Sequence, residues 1–131
     1  MREVVVAEYS MLCTRDVEAP SRARAWVEEN FGSALDILVL EAVQLIVSEL
    51  VTNAIRHAHG EIELCVAVVD TLVRIEVTDE SPDCEAVKVP MGDSLSTNGR
   101  GLRMVEAFSR SWGCRIGHDR KVVWAEVRFT R

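Results

Sequence analysis

A single α+β domain, with helices laid on one face of a mixed, mostly antiparallel sheet as a two-layer sandwich, is the fold this sequence predicts. Three observations carry it. Residues 34–58 repeat apolar side chains at spacings of three and four, two pairs of β-branched segments are each joined by a short polar turn, and no repeat or composition break divides the 131 residues. One domain over 1–131 is therefore expected. A chain of this length buries roughly 68% of the surface its unfolded form exposes, enough for a core without metal or disulfide help.

The elements follow in order. Residues 3–9 (Glu-Val-Val-Val-Ala-Glu-Tyr) read as a strand. Pro20-Ser21 opens a helix through about Asn30, with Ser21 as N-cap and Gly32 beyond the end. The long helix over 34–58 carries Leu35, Leu38, Val39, Ala42, Leu45, Ile46, Leu50 and Ala54 on its apolar face. Residues 61–69 and 72–78 read as antiparallel strands around Asp70-Thr71. Residues 81–98 have the Pro, Gly, Ser and Asp content of a long loop, and a helical pattern resumes over 102–108. Residues 113–117 and 122–129 then form a second strand pair around His118-Asp119-Arg120-Lys121. The antiparallel hairpins disfavour a doubly wound nucleotide fold.

Composition narrows the function. We read no apolar run as long enough to span a membrane, which sets aside transmembrane, fibrous and collagen-like classes. Lys plus Arg is 15 against 21 Asp plus Glu, a net charge of −6, which disfavours attraction to nucleic acid through a uniformly basic face. Cys13, Cys65, Cys84 and Cys114 are scattered singly, so a zinc site has little support and free thiols are expected. The start of the chain lacks the apolar core of a secretory signal, and a cytoplasmic location is expected.

Three features break the plain pattern. Glu49, Asn53 and His57 follow one another at four-residue spacing down one helix ridge bordering Ile46 and Leu50. A carboxylate and an amide beside a buried stripe need a partner, and hydrated Mg²⁺, which prefers oxygen ligands, would serve; the same spacing is also common in solvated helix pairs. Asn98-Gly99-Arg100-Gly101-Leu102 places two glycines before a helix, where backbone N–H groups can approach an anion such as phosphate, or simply ease helix entry. Asp79 closes the second strand of the first hairpin, where its carboxylate could accept from an exocyclic amine or form a turn.

The ordered combination of Glu-x-x-x-Asn helix, hairpin ending in Asp, long loop closed by Gly-x-Gly and following helix resembles the GHKL ATPase fold. That fold is shared by DNA gyrase, a heat-shock chaperone class, histidine kinases and mismatch-repair ATPases. The run Glu49-Leu50-Val51-Thr52-Asn53-Ala54-Ile55-Arg56-His57-Ala58 is most similar to the small stand-alone anti-sigma-factor serine kinases. The resemblance implies ATP and Mg²⁺ as cofactors and an in-line phosphoryl transfer. By match, Glu49 positions or deprotonates the attacking hydroxyl, Asn53 ligates the metal, Asp79 recognises the adenine amine, and the backbone of Gly99, Gly101 and Leu102 holds phosphate. Residues 81–98 would be the ATP lid.

The same resemblance implies an anti-sigma factor with serine/threonine kinase activity, a sigma factor and an anti-anti-sigma factor as partners, and a homodimer, with no nucleic acid or membrane contact. The edge at 3–9 is a candidate dimer surface. The second motif departs from the family's Asp-x-Gly-x-Gly: here it is Asp79-Glu80-Ser81-Pro82-Asp83, without either glycine. A weakly ATP-binding, partner-binding regulator of the same fold is thus the alternative reading. His57 is expected to satisfy last-turn carbonyls, and Trp26, Trp112 and Trp124 to serve core or interface.

Overall fold

A computed structural model describes residues 4–85, 87 and 97–129; most of the segment read as a lid, 81–98, lies outside them. β1 (Val5–Cys13) extends past the predicted end at Tyr9 because cross-strand pairing, not its own alternation, sets its length. It runs antiparallel to β2 (Ile62–Val69) from Val5↔Val69 to Cys13↔Ile62, with a register shift between Val5 and Ala7.

α1 (Ala19–Phe31) places Pro20 in its first turn, where a missing N–H costs nothing. Ser21 is not its cap. The N-cap position is Glu18, without a side-chain cap, and Asp16 just ahead of it steadies the entry: its carboxylate accepts the Glu18 N–H at 2.9 Å and its carbonyl accepts the Ala19 N–H at 3.2 Å. The Ser21 hydroxyl, three positions beyond the N-cap, accepts from Arg24 instead.

α2 (Ile37–His57) starts after Asp36, whose carboxylate accepts the Val39 N–H at 3.0 Å. Its buried face is Leu40, Val43, Ile46, Val47, Leu50, Val51 and Ala54. Leu38, counted in the predicted stripe, stands 76% exposed, because the stripe turns away from the core at this end of the helix. By length and composition α2 is apolar enough to cross a membrane, contrary to the sequence expectation; half of its most apolar window is buried by the rest of the fold, as in a core helix.

β2 turns into β3 (Leu72–Asp79) through Asp70-Thr71, with Asp70 at φ 52, the left-handed conformation a two-residue hairpin uses. α3 (Thr97–Phe108) begins well before residue 102, so Gly99 and Gly101 lie within the helix rather than ahead of it. β4 (Ser111–Gly117) and β5 (Arg120–Arg128) are joined by His118-Asp119 alone, with Asp119 at φ 60. Arg120 and Lys121, read as turn residues, therefore belong to β5.

The sheet order is β1-β2-β3-β5-β4. Every neighbouring pair is antiparallel, so the predicted mixed sheet has no parallel component. The helices cover one face. Rows across it read Tyr9–Val66–Ile75–Ala125–Trp112 and Met11–Leu64–Val77–Val123–Cys114, and these pack under α1 and α2. Tyr9 and Trp26 both meet the buried Phe31 ring edge-on. The opposite face carries the ion pairs Arg74–Glu126 at 3.4 Å and Arg115–Glu76 at 2.6 Å, with Trp124 lying opposite Gly113. The free-thiol expectation holds for Cys13 and Cys65 only: Cys84 and Cys114, 30 residues apart, form a disulfide. Sequence spacing is silent on that pairing, because the fold, not the chain, makes them neighbours.

Candidate functional site

The ridge on α2 is built as its spacing predicts. Asn53 is 8% exposed, while Glu49 and His57, one turn to either side, are half-buried at the border of the core. Arg24 of α1 donates to the Ser48 hydroxyl at 2.9 Å beside Glu49, and the Thr52 hydroxyl folds back onto the Ser48 carbonyl. The last-turn carbonyls are met not by His57 but by Arg15, whose guanidinium reaches Ile55 at 3.3 Å, Ala58 at 2.8 Å and Gly60 at 2.9 Å. A cation at this end also opposes the helix dipole.

Asp79 ends β3 on the helix-covered face and is 1% exposed. One carboxylate oxygen accepts the Ser81 N–H at 2.8 Å. The other lies 3.3 Å from the Lys121 ammonium but lacks hydrogen-bond geometry with it, and has no other hydrogen-bond partner among the described residues. Lys121 faces Asp79 directly in the β3–β5 register and is equally buried. Sequence reading missed this lysine; counting back in twos from the inward-facing Val127, Ala125 and Val123 of β5 would have placed it on the buried face.

Ser81, where the family pattern has glycine, does not project freely. Its hydroxyl accepts the His59 N–H at 3.0 Å. Its neighbour Glu80 donates its N–H to the His59 carbonyl and accepts the Glu61 N–H on its carboxylate at 2.7 Å. Gly60 sits between, at φ +72, and a Cβ there would strike the Glu80 carboxylate. The end of α2 is thus stitched to the end of β3. Ser81 and Lys121, both partners of Asp79, line a cavity of about 290 Å³ together with His57, His59, Asp83 and Glu85.

Of the predicted residues, Glu49 and Asn53 share α2, Asp79 closes the strand beside it, and α3, which carries Gly99 and Gly101, packs on the same helix. Leu102 is buried in the core at 1% exposure, so its side chain is structural. Among the described residues no cluster of three or more His, Cys, Asp and Glu is arranged to hold a metal alone.

Comparison with known proteins gives a consistent answer. The serine-protein kinase RsbW of Staphylococcus epidermidis is 36% identical over 85 residues, covering 53% of this chain and 54% of that protein, so the chain spans about half the length of this relative. The anti-sigma F factor of Clostridium acetobutylicum is 33% identical over 103 residues, covering 70% of this chain and 71% of that protein. The crystal structure of the RsbU and RsbW domains of Rv1364c from Mycobacterium tuberculosis superposes with a TM-score of 0.71 at 20% identity, covering 96% of this chain and 33% of that one. A histidine kinase domain from Erythrobacter litoralis superposes at 0.56 with 18% identity, over 85% of this chain and 59% of that one; both likenesses speak to the fold. The histidine kinase-like ATPase domain profile matches residues 13–127, and the chain belongs to that family.

Proposed function

We propose that this chain is a cytoplasmic anti-sigma factor with ATP-dependent serine/threonine kinase activity, acting on an anti-anti-sigma partner and working as a homodimer. The supporting observation is the buried Asn53 one turn from Glu49 on α2, in a chain whose relatives are named serine-protein kinase and anti-sigma F factor. The residues fit a nucleotide. The buried Asp79 oxygen without a hydrogen-bond partner is the acceptor an adenine amine would satisfy, and it adjoins the cavity lined by its partners Ser81 and Lys121.

A bound ATP·Mg²⁺ would supply the transferable phosphoryl group and neutralise its charge. Asn53 would offer one oxygen to the metal, which suits an ion that retains water ligands. Glu49 would take the proton of the acceptor serine hydroxyl. The first turn of α3, which packs on α2 and holds Gly99, would meet phosphate through its unsatisfied N–H groups, with Gly101 and Leu102 following in the next turn.

A partner-binding regulator that has lost nucleotide affinity is favoured by one observation, the loss of both motif glycines at Ser81 and Asp83. Against it, the Ser81 hydroxyl is turned to His59 and consumed there. Calorimetric titration with ATP and Mg²⁺ decides: saturable binding lost in Asn53→Ala, with Glu49→Ala binding normally yet failing to phosphorylate an anti-anti-sigma partner, is expected. Absence of binding by the wild-type chain would move the reading to the nucleotide-independent regulator.

A further inference from the structure

Two half-buried cysteines stand beside the candidate site and take no part in the chemistry proposed for it. Cys114 lies in β4 opposite Val123, in the helix-covered row adjacent to Asp79 and Lys121. Cys84 lies in the short turn after the Asp79–Ser81 corner, closed by the Val87 N–H on the Cys84 carbonyl at 3.0 Å. Their Cα atoms are 6.1 Å apart, within disulfide span, and the bond is formed.

The other two cysteines are unlike this pair. Burial pushes the Cys13 thiol up from its ordinary range, and burial followed by the Glu8 and Glu76 carboxylates does so for Cys65, which suppresses the reactive thiolate in both. Opposite Ile62 and Ser10 respectively, they are three residues apart along the ladder, about 10 Å, beyond bridging distance. Thiol chemistry is therefore concentrated at one place.

What the crosslink holds is a wall of the cavity. The near end of segment 79–85 is fixed by hydrogen bonds to His59, Glu61 and Asp79, while Pro82 and Asp83 are exposed and the Asp83 carboxylate accepts the Glu85 N–H. The disulfide fastens the far end to β4. We propose that Cys84 and Cys114 are a reversible dithiol site, oxidised by neutral low-molecular-weight disulfides and reduced by thiols, that pins or releases the 79–85 wall of the cavity bordered by His57, His59 and Lys121.

In the oxidation, one cysteine thiolate attacks a sulfur of the external disulfide and expels one thiolate, forming a mixed disulfide. The second cysteine thiolate then attacks the protein sulfur and expels the other. The two protein sulfurs together lose two electrons, the external disulfide becomes two thiols, and the two cysteine protons end on them. A further consequence, which rests on the nucleotide function proposed above, is that ATP affinity differs between the two states.

The test equilibrates the full chain with oxidised or reduced dithiothreitol. Peptide mapping is expected to show the Cys84–Cys114 link forming and opening under native conditions, with Cys13 and Cys65 unlinked throughout. Amide exchange at His59, Glu61 and Ser81 is expected to quicken at least tenfold on reduction, and ATP affinity to change at least fivefold. Both differences should vanish in Cys84→Ser/Cys114→Ser. A link that never forms, that resists dithiothreitol in the folded protein, or that cycles with no change in amide exchange overturns the proposal. Altered exchange with ATP bound by neither state would instead overturn the nucleotide function and leave the dithiol site standing.

Discussion

At the Asp79–Lys121 contact, two opposite charges that are almost wholly withdrawn from water depend on each other. Burying either one alone is costly, because its hydration is lost without a counter-charge. Lys121→Met should therefore destabilise the fold by about 3–5 kcal/mol in urea unfolding, and adding Asp79→Asn should recover much of the loss. The second residue-scale case is exposed. The Arg22 guanidinium, then the Thr14 hydroxyl, hold the Asp16 carboxyl at about 2 instead of 3.8. A depressed folded value means that the contribution is present above the ordinary carboxylate range and disappears as pH falls through about 2. Carbon-detected NMR titration should find Asp16 near that value, and raised toward 3.8 in Arg22→Ala, where the Thr14 and Glu18 hydrogen bonds remain.

Among the elements, α2 is the one on which the candidate ligand residues depend, and its C-terminal end is held by a residue from outside the helix. Arg15, in the connection between β1 and α1, bonds carbonyls on either side of His57. Arg15→Ala should cost about 1–2 kcal/mol and quicken amide exchange around residue 58, without shifting the α2 start at Asp36. This clamp shows where sequence reading stops. The apolar period of α2, the Asp70-Thr71 hairpin and the Glu49–Asn53 ridge were legible because each is a local pattern of side chains. The helix entry held by Asp16, the inward Lys121, the Arg15 clamp and the Cys84–Cys114 bond were not, because each joins residues through the backbone path or across the fold. Lys121 is the instructive miss: four polar residues in a row at 118–121 look like a loop, yet a left-handed Asp119 closes the turn in two residues and leaves the rest to the strand.

For the whole molecule, the sheet has two edges, β1 and β4, and they differ in what they expose. β1 presents Val5, Val6 and Leu12 to solvent, and Val4 just before it, each more than half exposed, beside an unpaired strand edge. Such an edge invites pairing with another chain. If the proposed homodimer uses it, sedimentation should report a dimer for the wild-type chain and a folded monomer for Val5→Lys/Leu12→Lys; a dimer that survives both lysines would place the interface elsewhere.

The strand order has a consequence for synthesis. β5 is made after every other described element, yet it lies inside the sheet, between β3 and β4, and carries Val123, Ala125 and Val127 into the core. Until it emerges from the ribosome, β3 and β4 each show a bare inner edge and the core above them is open. The nascent chain can form β1, the α1–α2 pair and the first hairpin early, but the sheet must wait for its last strand, since its long-range pairings close only then. A ribosome stalled before residue 120 would thus hold a chain with sticky edges and no finished core, a natural client for chaperones.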